Sequence, residues 1–147
     1  MQSKIRLRKF SPSDLDRVLE IECSSFTVDA YSETGFENLY RKHPGDFIVA
    51  ELSGEIIGYI IAYDSGGFGD FDTVAVDPRF RRLGVGKLLV HFMLDCFRRK
   101  GLKKAFLEVR ATNKVAIAFY QSLGFKTVEA IKGFYGSGDA YRMESEI

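Results

Sequence analysis

The chain has 147 residues, 46% of them hydrophobic and three of them proline, so its length and composition are those of one globular domain rather than a disordered chain. No apolar run approaches the roughly 20 residues that a membrane-spanning helix needs. The formal net charge is +1, but residues 79–104 hold nine cations and one anion, whereas residues 10–77 hold fourteen acidic and three basic residues. The basic segment suits a phosphorylated ligand or nucleic acid, and the acidic region suits a cationic substrate.

The cysteines and histidines give no sign of a metal site or of a secreted protein. Cys23 and Cys96 fall on apolar faces of predicted helices and have no Cys or His partners at metal-site spacing, so we expect reduced core thiols. His43 and His91 are expected at the surface. The N-terminal residues lack the apolar centre of a signal peptide. These features predict a cytoplasmic protein without a metal and without a membrane anchor.

The N-terminal half is predicted to alternate short strands and helices. Residues 4–10 alternate polar and apolar side chains, which is typical of a half-buried strand. Ser11 and Pro12 then supply an N-cap and a first helical position, and residues 24–32 lack periodicity and are predicted to form a loop. A second helix is expected over residues 32–43. Three strands follow, over residues 47–52, 56–63 and 71–77.

A glycine-rich turn links the third of these strands to a helix predicted over residues 84–100. Its residues are Arg81, Arg82, Leu83, Gly84, Val85, Gly86 and Lys87. A strand, such a turn and a helix can surround a phosphate with backbone N–H groups. Neither familiar phosphate loop fits, because Leu88 stands where the Walker loop has Ser or Thr and Leu89 where the dinucleotide fingerprint has its third glycine. The heptapeptide alone leaves open a helix start with solvated arginines.

The C-terminal third completes a mixed pattern of strands and helices. A strand is predicted over residues 104–110, and a helix follows with Thr112 or Asn113 as its N-cap and Gly124 as its stop. Two closing strands are predicted over residues 125–131 and 140–147. The element order predicts an α/β protein built around one mixed sheet, and the absence of repeats and linkers predicts one domain over residues 1–147.

Three motifs, in order, resemble those of the GCN5-related N-acetyltransferases. Residues 81–86 after Val74-Ala75-Val76 resemble the acetyl-CoA motif. Residues 107–113, followed by residues 116–125, resemble the protein N-terminal acetyltransferases, including the ribosomal-protein alanine acetyltransferases. Residues 135–143 resemble a late Tyr-rich pattern of that subgroup. The resemblance covers nearly the whole chain and implies a single-domain fold with a mixed, mostly antiparallel sheet of about seven strands flanked by about four helices.

The resemblance implies a site for acetyl-CoA. The backbone amides of residues Arg81–Lys87 would bind the pyrophosphate. The strand residues Val74, Ala75 and Val76 would run along the pantetheine arm, with the Val76 amide facing the thioester carbonyl. Asn113 would contact the cofactor near its helix start; the alternative is a plain N-cap, and the two roles are compatible.

It also implies two residues for proton transfer. Glu108 takes the position of the base, acting through water, and Tyr120 takes the position of the acid that protonates the leaving sulfur. An outward strand residue paired with Lys or Arg is the alternative for Glu108, and a core aromatic is the alternative for Tyr120. Asp70 and Asp72 are lesser acid or base candidates, for which we favour a solvent-facing strand edge.

The acceptor is expected to be the α-amine of a protein or peptide N-terminus, a ribosomal protein being one candidate. In the resembling enzymes the peptide enters between two loops, here residues 26–32 and 131–139. Tyr31 and Tyr135 would hold its backbone and Asp29 its N-terminus, although these aromatics equally suit loops packed on the sheet edge. A small-molecule amine or a lysine side chain remains an alternative acceptor, a non-catalytic acyl-CoA-binding module is a further alternative, and nucleic-acid binding is disfavoured by the near-zero net charge. The sequence predicts no oligomeric state.

Overall fold

In the part of the chain that the structure describes, residues 4–25, 30–134 and 138–147 of a computed structural model, seven strands and four helices follow one another in the predicted order. The strands are β1 (Arg6–Lys9), β2 (Phe47–Leu52), β3 (Glu55–Ser65), β4 (Phe68–Val76), β5 (Lys104–Arg110), β6 (Lys126–Ile131) and β7 (Ala140–Glu146). The helices are α1 (Leu15–Ser25), α2 (Glu33–Lys42), α3 (Val85–Arg99) and α4 (Lys114–Ser122). Short 3-10 turns cover Pro12–Asp14 and Pro78–Phe80.

The strands form one mixed sheet, as predicted, and their order in it is β1-β2-β3-β4-β5-β7-β6. The pairs β1–β2, β2–β3, β5–β7 and β6–β7 are antiparallel, and β4–β5 is parallel. Among the described residues the β4–β5 ladder has two register pairs, Gly69 with Ala105 and Asp70 with Phe106, whereas the β5–β7 ladder has seven. The parallel ladder therefore ends before Asp72 and Glu108 are reached.

The chain divides into two compact units. One comprises the described residues of Met1–Ala62 together with Thr73–Phe92, and the other comprises Tyr63–Asp72 and Met93–Ile147. In the first unit, Phe36, Phe47 and Tyr59 are fully buried with ring centroids within 6.0 Å of one another. In the second, the Phe71 ring meets the edges of Phe97 and Phe125 at 5.6 and 5.7 Å. Burial of such rings is the main favourable contribution to folding in each unit.

Side-chain caps define where the helices begin. The Asp14 carboxylate accepts from the Ser11 N–H at 2.8 Å. The Ser32 hydroxyl accepts from Gly35 N at 3.1 Å at the start of α2, and Asn113 Oδ1 accepts from Ala116 N at 3.1 Å at the start of α4. Each bond satisfies one of the backbone donors that a helix N-terminus leaves unpaired. The caps confirm the predicted helix starts and choose Asn113 over its neighbour Thr112.

The prediction that both cysteines are core residues is wrong. Cys23 is exposed and Cys96 is half-buried, and both are free thiols. The buried face of α1 consists of Val18, Ile21 and Glu22. Since successive helical residues are rotated by about 100°, the side chain after Glu22 points away from that face. Glu22, and not Cys23, thus occupies the core position at this turn of α1.

Two further surface features are seen. His91 is exposed as expected, but His43 is half-buried and its Nδ1 lies 3.8 Å from Asp46 Oδ2, a pair that is charged when the imidazole is protonated.

Within the described residues, no helix combines the length and the apolar character needed to cross a bilayer.

Gly69 marks a close approach between β4 and α3. A Cβ added to this buried glycine would lie 2.6 Å from Cε2 of Phe97. We expect Gly69→Ala to lower the free energy of unfolding by about 1–3 kcal/mol, because the ring must leave its preferred position. Urea denaturation measures this change. Gly45→Ala is the control, since its added Cβ meets no atom within 4 Å, and equal stability of the two variants would contradict the prediction.

Candidate functional site

The turn between β4 and α3 has the backbone shape of an anion site. Arg82 and Gly84 have φ angles of 74° and 76°, and α3 begins at Val85, whose side chain is buried. Left-handed residues beside a helix start can direct successive N–H groups towards one point, and the helix dipole adds positive potential there. Residues 81–84 are exposed. This shape suits a pyrophosphate.

Two glycines serve this turn in different ways. Gly84 supplies the left-handed conformation that a side chain disfavours. Gly58 on β3 was not foreseen, although a Cβ there would lie 3.0 Å from the Ala75 carbonyl oxygen and 3.2 Å from Cγ1 of Val85. Its missing side chain lets β3, β4 and the first turn of α3 approach one another. Gly86 lies inside α3.

One of the four cations near the turn is already paired. Arg79 Nη2 lies 2.9 Å from Asp77 Oδ2 and 2.8 Å from Glu55 Oε1. Asp77 is 5% exposed and also receives Arg17, and these guanidinium groups, Arg79 first, hold the pKa of its carboxyl well below its usual range. The exposed cations of the turn are Arg81, Arg82 and Lys87.

Much of the acidity of residues 10–77 is likewise engaged in ion pairs. Arg8 binds Asp14 at 2.8 Å and Glu51 at 2.9 Å. Arg17 binds Glu55 at 3.3 Å and also contacts Asp77. The uneven charge distribution therefore reflects internal pairing to a large degree, and it is weak support for a cationic substrate.

The strand segment that leads into the turn alternates between two environments. Ala75 is 6% exposed, whereas Val74 and Val76 on either side of it are half-buried. Thr73, directly before this segment, is buried. The same compact unit contains Tyr31, which lies half-buried with its ring edge-on to Phe36 at 5.5 Å.

In the other unit, Glu108 faces an arginine across the β5–β7 ladder. The register pairs Glu108 with Arg142, and Arg142 Nη1 lies 3.6 Å from Glu108 Oε1. The guanidinium stacks over the Phe106 ring at 3.8 Å from its centroid. Burial raises the pKa of Glu108, the charge of Arg142 opposes this shift, and Asp72 adds to it. The Glu108 side chain is 22% exposed, so it combines access to solvent with a perturbed pKa.

Two aspartates of β4 belong to the same cluster. Burial raises the pKa of Asp70 to about 7, with Asp72 and Glu108 contributing and Arg142 opposing. The Tyr63 hydroxyl donates to Asp72 Oδ2 at 2.5 Å. The solvent-facing interpretation of Asp70 is therefore wrong, because its carboxyl is half-buried among like charges. No local pattern points to Arg142, which lies 34 positions after Glu108 and meets it only through strand register.

Tyr120 is neither a surface nor a core residue. It is half-buried in α4, and its ring meets Phe119 at 5.2 Å and Phe125 at 5.8 Å. No described residue of α4 is fully buried, so even the residues on the packed face of this helix remain partly exposed. Asn113 caps this helix, which confirms the N-cap role proposed for it. The candidate acceptor residues Asp29 and Tyr135 lie outside the described residues.

Comparisons with known proteins give one consistent result. The family model described as "Acetyltransferase (GNAT) family" matches residues 15–125. An N-alpha-acetyltransferase of Sulfurisphaera tokodaii is 30% identical, over 97% of this chain and 93% of the relative. The crystal structure of Ard1 from Thermoplasma volcanium is 32% identical over 97% of each chain, with a TM-score of 0.92. That of the ribosomal-protein-S18-alanine N-acetyltransferase from Escherichia coli is 26% identical over 98% of this chain and 94% of that one, with a TM-score of 0.84.

Proposed function

The chain belongs to the GNAT family of acetyltransferases and is an acetyl-CoA-dependent N-acetyltransferase, and on this basis we propose that it acetylates the α-amine of a protein N-terminus. The whole-length similarity to the Sulfurisphaera N-alpha-acetyltransferase carries the proposal. A ribosomal protein is one candidate acceptor, and the likeness to the Escherichia coli enzyme supports it. The transfer proceeds by direct attack of the amine while both substrates are bound.

The chemistry requires a neutral amine and a protonated leaving sulfur. An unperturbed α-amino group has a pKa near 8, against about 10.4 for lysine, so an N-terminal amine loses its proton to a weaker base. Glu108 accepts the proton of the attacking amine through a water molecule. The nitrogen forms a bond to the thioester carbonyl carbon, the carbon–sulfur bond breaks, and the Tyr120 phenol gives its proton to the sulfur. The Val76 N–H donates to the carbonyl oxygen.

The remaining residues bind and orient. The backbone amides of residues 81–87, with the exposed Arg81, Arg82 and Lys87 around them, bind the pyrophosphate of coenzyme A, which supplies the acetyl thioester. Val74 and Ala75 extend along the pantetheine arm, and Asn113 adds a contact at the start of α4. Tyr31, with Asp29 and Tyr135, binds the N-terminal residues of the acceptor.

A peptide assay tests the proposed acceptor. The protein is incubated with acetyl-CoA and two matched peptides, one with a free N-terminus and no lysine, the other with a blocked N-terminus and one lysine. Thiol release and peptide mass are measured. We expect acetylation of the first peptide only. Acetylation restricted to the blocked peptide would replace the proposal with lysine acetylation, and acetylation of small amines alone would replace it with a small-molecule acceptor.

The pH dependence tests Glu108 as the base. A base must be deprotonated, so kcat/KM rises with pH through the pKa of Glu108. Arg142 lowers that pKa, and Arg142→Met is therefore expected to move the acidic limb of the profile upward by about one pH unit, the scale of a close opposite charge. The pH–rate profile measures the shift.

Two further variants complete this test. Glu108→Gln should abolish the limb, and Arg98→Met, which removes an exposed arginine paired with Asp95, should leave it in place. A limb that Arg142→Met does not move would assign the base to a group outside this cluster. A limb that persists in Glu108→Gln would assign it to Asp70, whose pKa of about 7 is also lowered by Arg142.

A further inference from the structure

Glu22 is a buried carboxylate without a place in the proposed chemistry. It lies on the inner face of α1 and is 1% exposed. Its Oε2 accepts the backbone N–H of Tyr31 at 2.9 Å. Its Oε1 accepts from the Tyr59 hydroxyl, and the Thr73 hydroxyl lies 3.4 Å away. All four residues belong to the same compact unit.

An apolar residue would fill this position at lower cost. Val18 and Ile21 on the same face are fully buried, and a Leu or Met at position 22 would extend their stripe. Burying a carboxylate is expensive unless hydrogen bonds compensate for the lost water. Burial, reinforced by the Glu22 charge, holds the pKa of Tyr59 far above its usual range, so the phenol stays protonated and donates. The compensation is thus built into the fold around Glu22.

Two residues that bind this carboxylate, Tyr31 and Thr73, lie next to segments with proposed roles in binding the acceptor and the cofactor. Tyr31 directly precedes Ser32, the N-cap of α2, and its ring is held against Phe36. Thr73 directly precedes Val74, the first residue of the β4 segment assigned to the pantetheine arm. One side chain from α1 therefore connects the acceptor side and the cofactor side of the unit.

We propose that Glu22 is a positioning residue, which fixes the Tyr31 backbone relative to the strand of Val74–Val76 so that the acceptor N-terminus is presented to the thioester. The assignment of these two segments to the acceptor and to the cofactor rests on the proposed function. The claim that Glu22 fixes the Tyr31 backbone does not depend on it. A hydrogen bond to a buried side-chain oxygen keeps the Tyr31 amide in one place. Without it, the backbone before α2 has more freedom, and the acceptor binds less well.

Amide hydrogen exchange tests the positioning without reference to activity. The exchange rate at Tyr31 is measured by NMR in the wild-type protein and in Glu22→Met, which removes every acceptor atom at this position. We expect a Tyr31 amide that is protected in the wild type and exchanges at least about tenfold faster in the variant, the factor for losing a bond of this strength. Wild-type exchange at Tyr31 as fast as in a free peptide overturns the proposal even if Glu22→Met does not fold.

Two matched variants separate positioning from stability. Glu22→Gln keeps an oxygen that can accept from Tyr31 and should restore protection. Tyr59→Phe removes a donor to the other carboxylate oxygen and should lower the thermal midpoint while leaving Tyr31 exchange within about twofold of the wild type, because the Oε2 contact remains. If Tyr59→Phe accelerates Tyr31 exchange as much as Glu22→Met does, the carboxylate only stabilises the core.

Kinetics links the positioning to the reaction. In Glu22→Met we expect KM for the peptide to rise about tenfold and KM for acetyl-CoA to change less than about twofold, whereas a general loss of structure would alter both. An equal rise in both constants overturns the role in acceptor presentation. A wild-type protein that acetylates no peptide would refute the proposed function instead, and the exchange experiment would still decide the role of Glu22.

Discussion

Gly84→Asp is expected to weaken the binding of coenzyme A about 100-fold, which corresponds to about 2.7 kcal/mol. Two effects add. Gly84 has a φ angle of 76°, which glycine adopts more readily than Asp, so the substitution lets the turn relax away from the shape that suits an anion. At the proposed cofactor site, the new carboxylate would also lie beside the pyrophosphate and repel it. Isothermal titration of the protein with coenzyme A measures the change.

Two controls divide this effect into its parts. Asn tolerates the left-handed region and carries no charge, so Gly84→Asn should weaken binding by less than about tenfold and isolate the charge contribution of Asp. Arg82→Ala keeps the backbone amide at a position whose φ is already 74°, and should weaken binding by less than about fivefold, the scale of one exposed charge. An Arg82→Ala defect as large as that of Gly84→Asp would show that side chains rather than backbone amides bind the cofactor.

Tyr120→Phe is expected to lower kcat about 100-fold, at the lower end of what a positioned general acid contributes. The phenylalanine ring keeps the contacts with Phe119 and Phe125, so the fold of α4 and the KM for acetyl-CoA should change little. Steady-state kinetics with a saturating peptide measures kcat, and the circular dichroism melting curve verifies the fold.

The matched control is Tyr40→Phe. Tyr40 is also half-buried with its ring against an aromatic neighbour, Phe10 at 5.0 Å, and it has no assigned role in the reaction. Its kcat should equal that of the wild type. A Tyr120→Phe enzyme with unchanged kcat would remove Tyr120 as the acid and leave the thiolate to be protonated by solvent.

Local signals were sufficient for most of the fold. Cap residues such as Ser32 and Asn113 and the alternation of the strands are determined within a few residues of chain, and the structure reproduces the predicted order of elements. The roles of Glu108 and Tyr120 came from resemblance rather than from local pattern. A glutamate in a strand and a tyrosine in a helix are each compatible with an ordinary surface or core position.

The features that escaped prediction depend on contacts between distant segments. Arg142 lowers the pKa of Glu108 because β5 and β7 pair in one antiparallel register, and no local pattern predicts that register. The hydrogen-bond partners of Glu22 come from two strands and a loop, so no local pattern predicts them. The left-handed Arg82 was missed because residue identity predicts that conformation only for Gly, Asn and Asp.

The left-handed backbone at Arg82 has a consequence for how this position could evolve. An arginine held at a φ of 74° makes every folded copy less stable by about 1 kcal/mol than a residue suited to that conformation. Selection for heat resistance alone would favour glycine or asparagine here. An exposed cation, however, attracts a polyanion from a distance and speeds capture at low ionic strength. At residue 82, selection for thermal stability and selection for rapid cofactor binding would therefore favour different side chains.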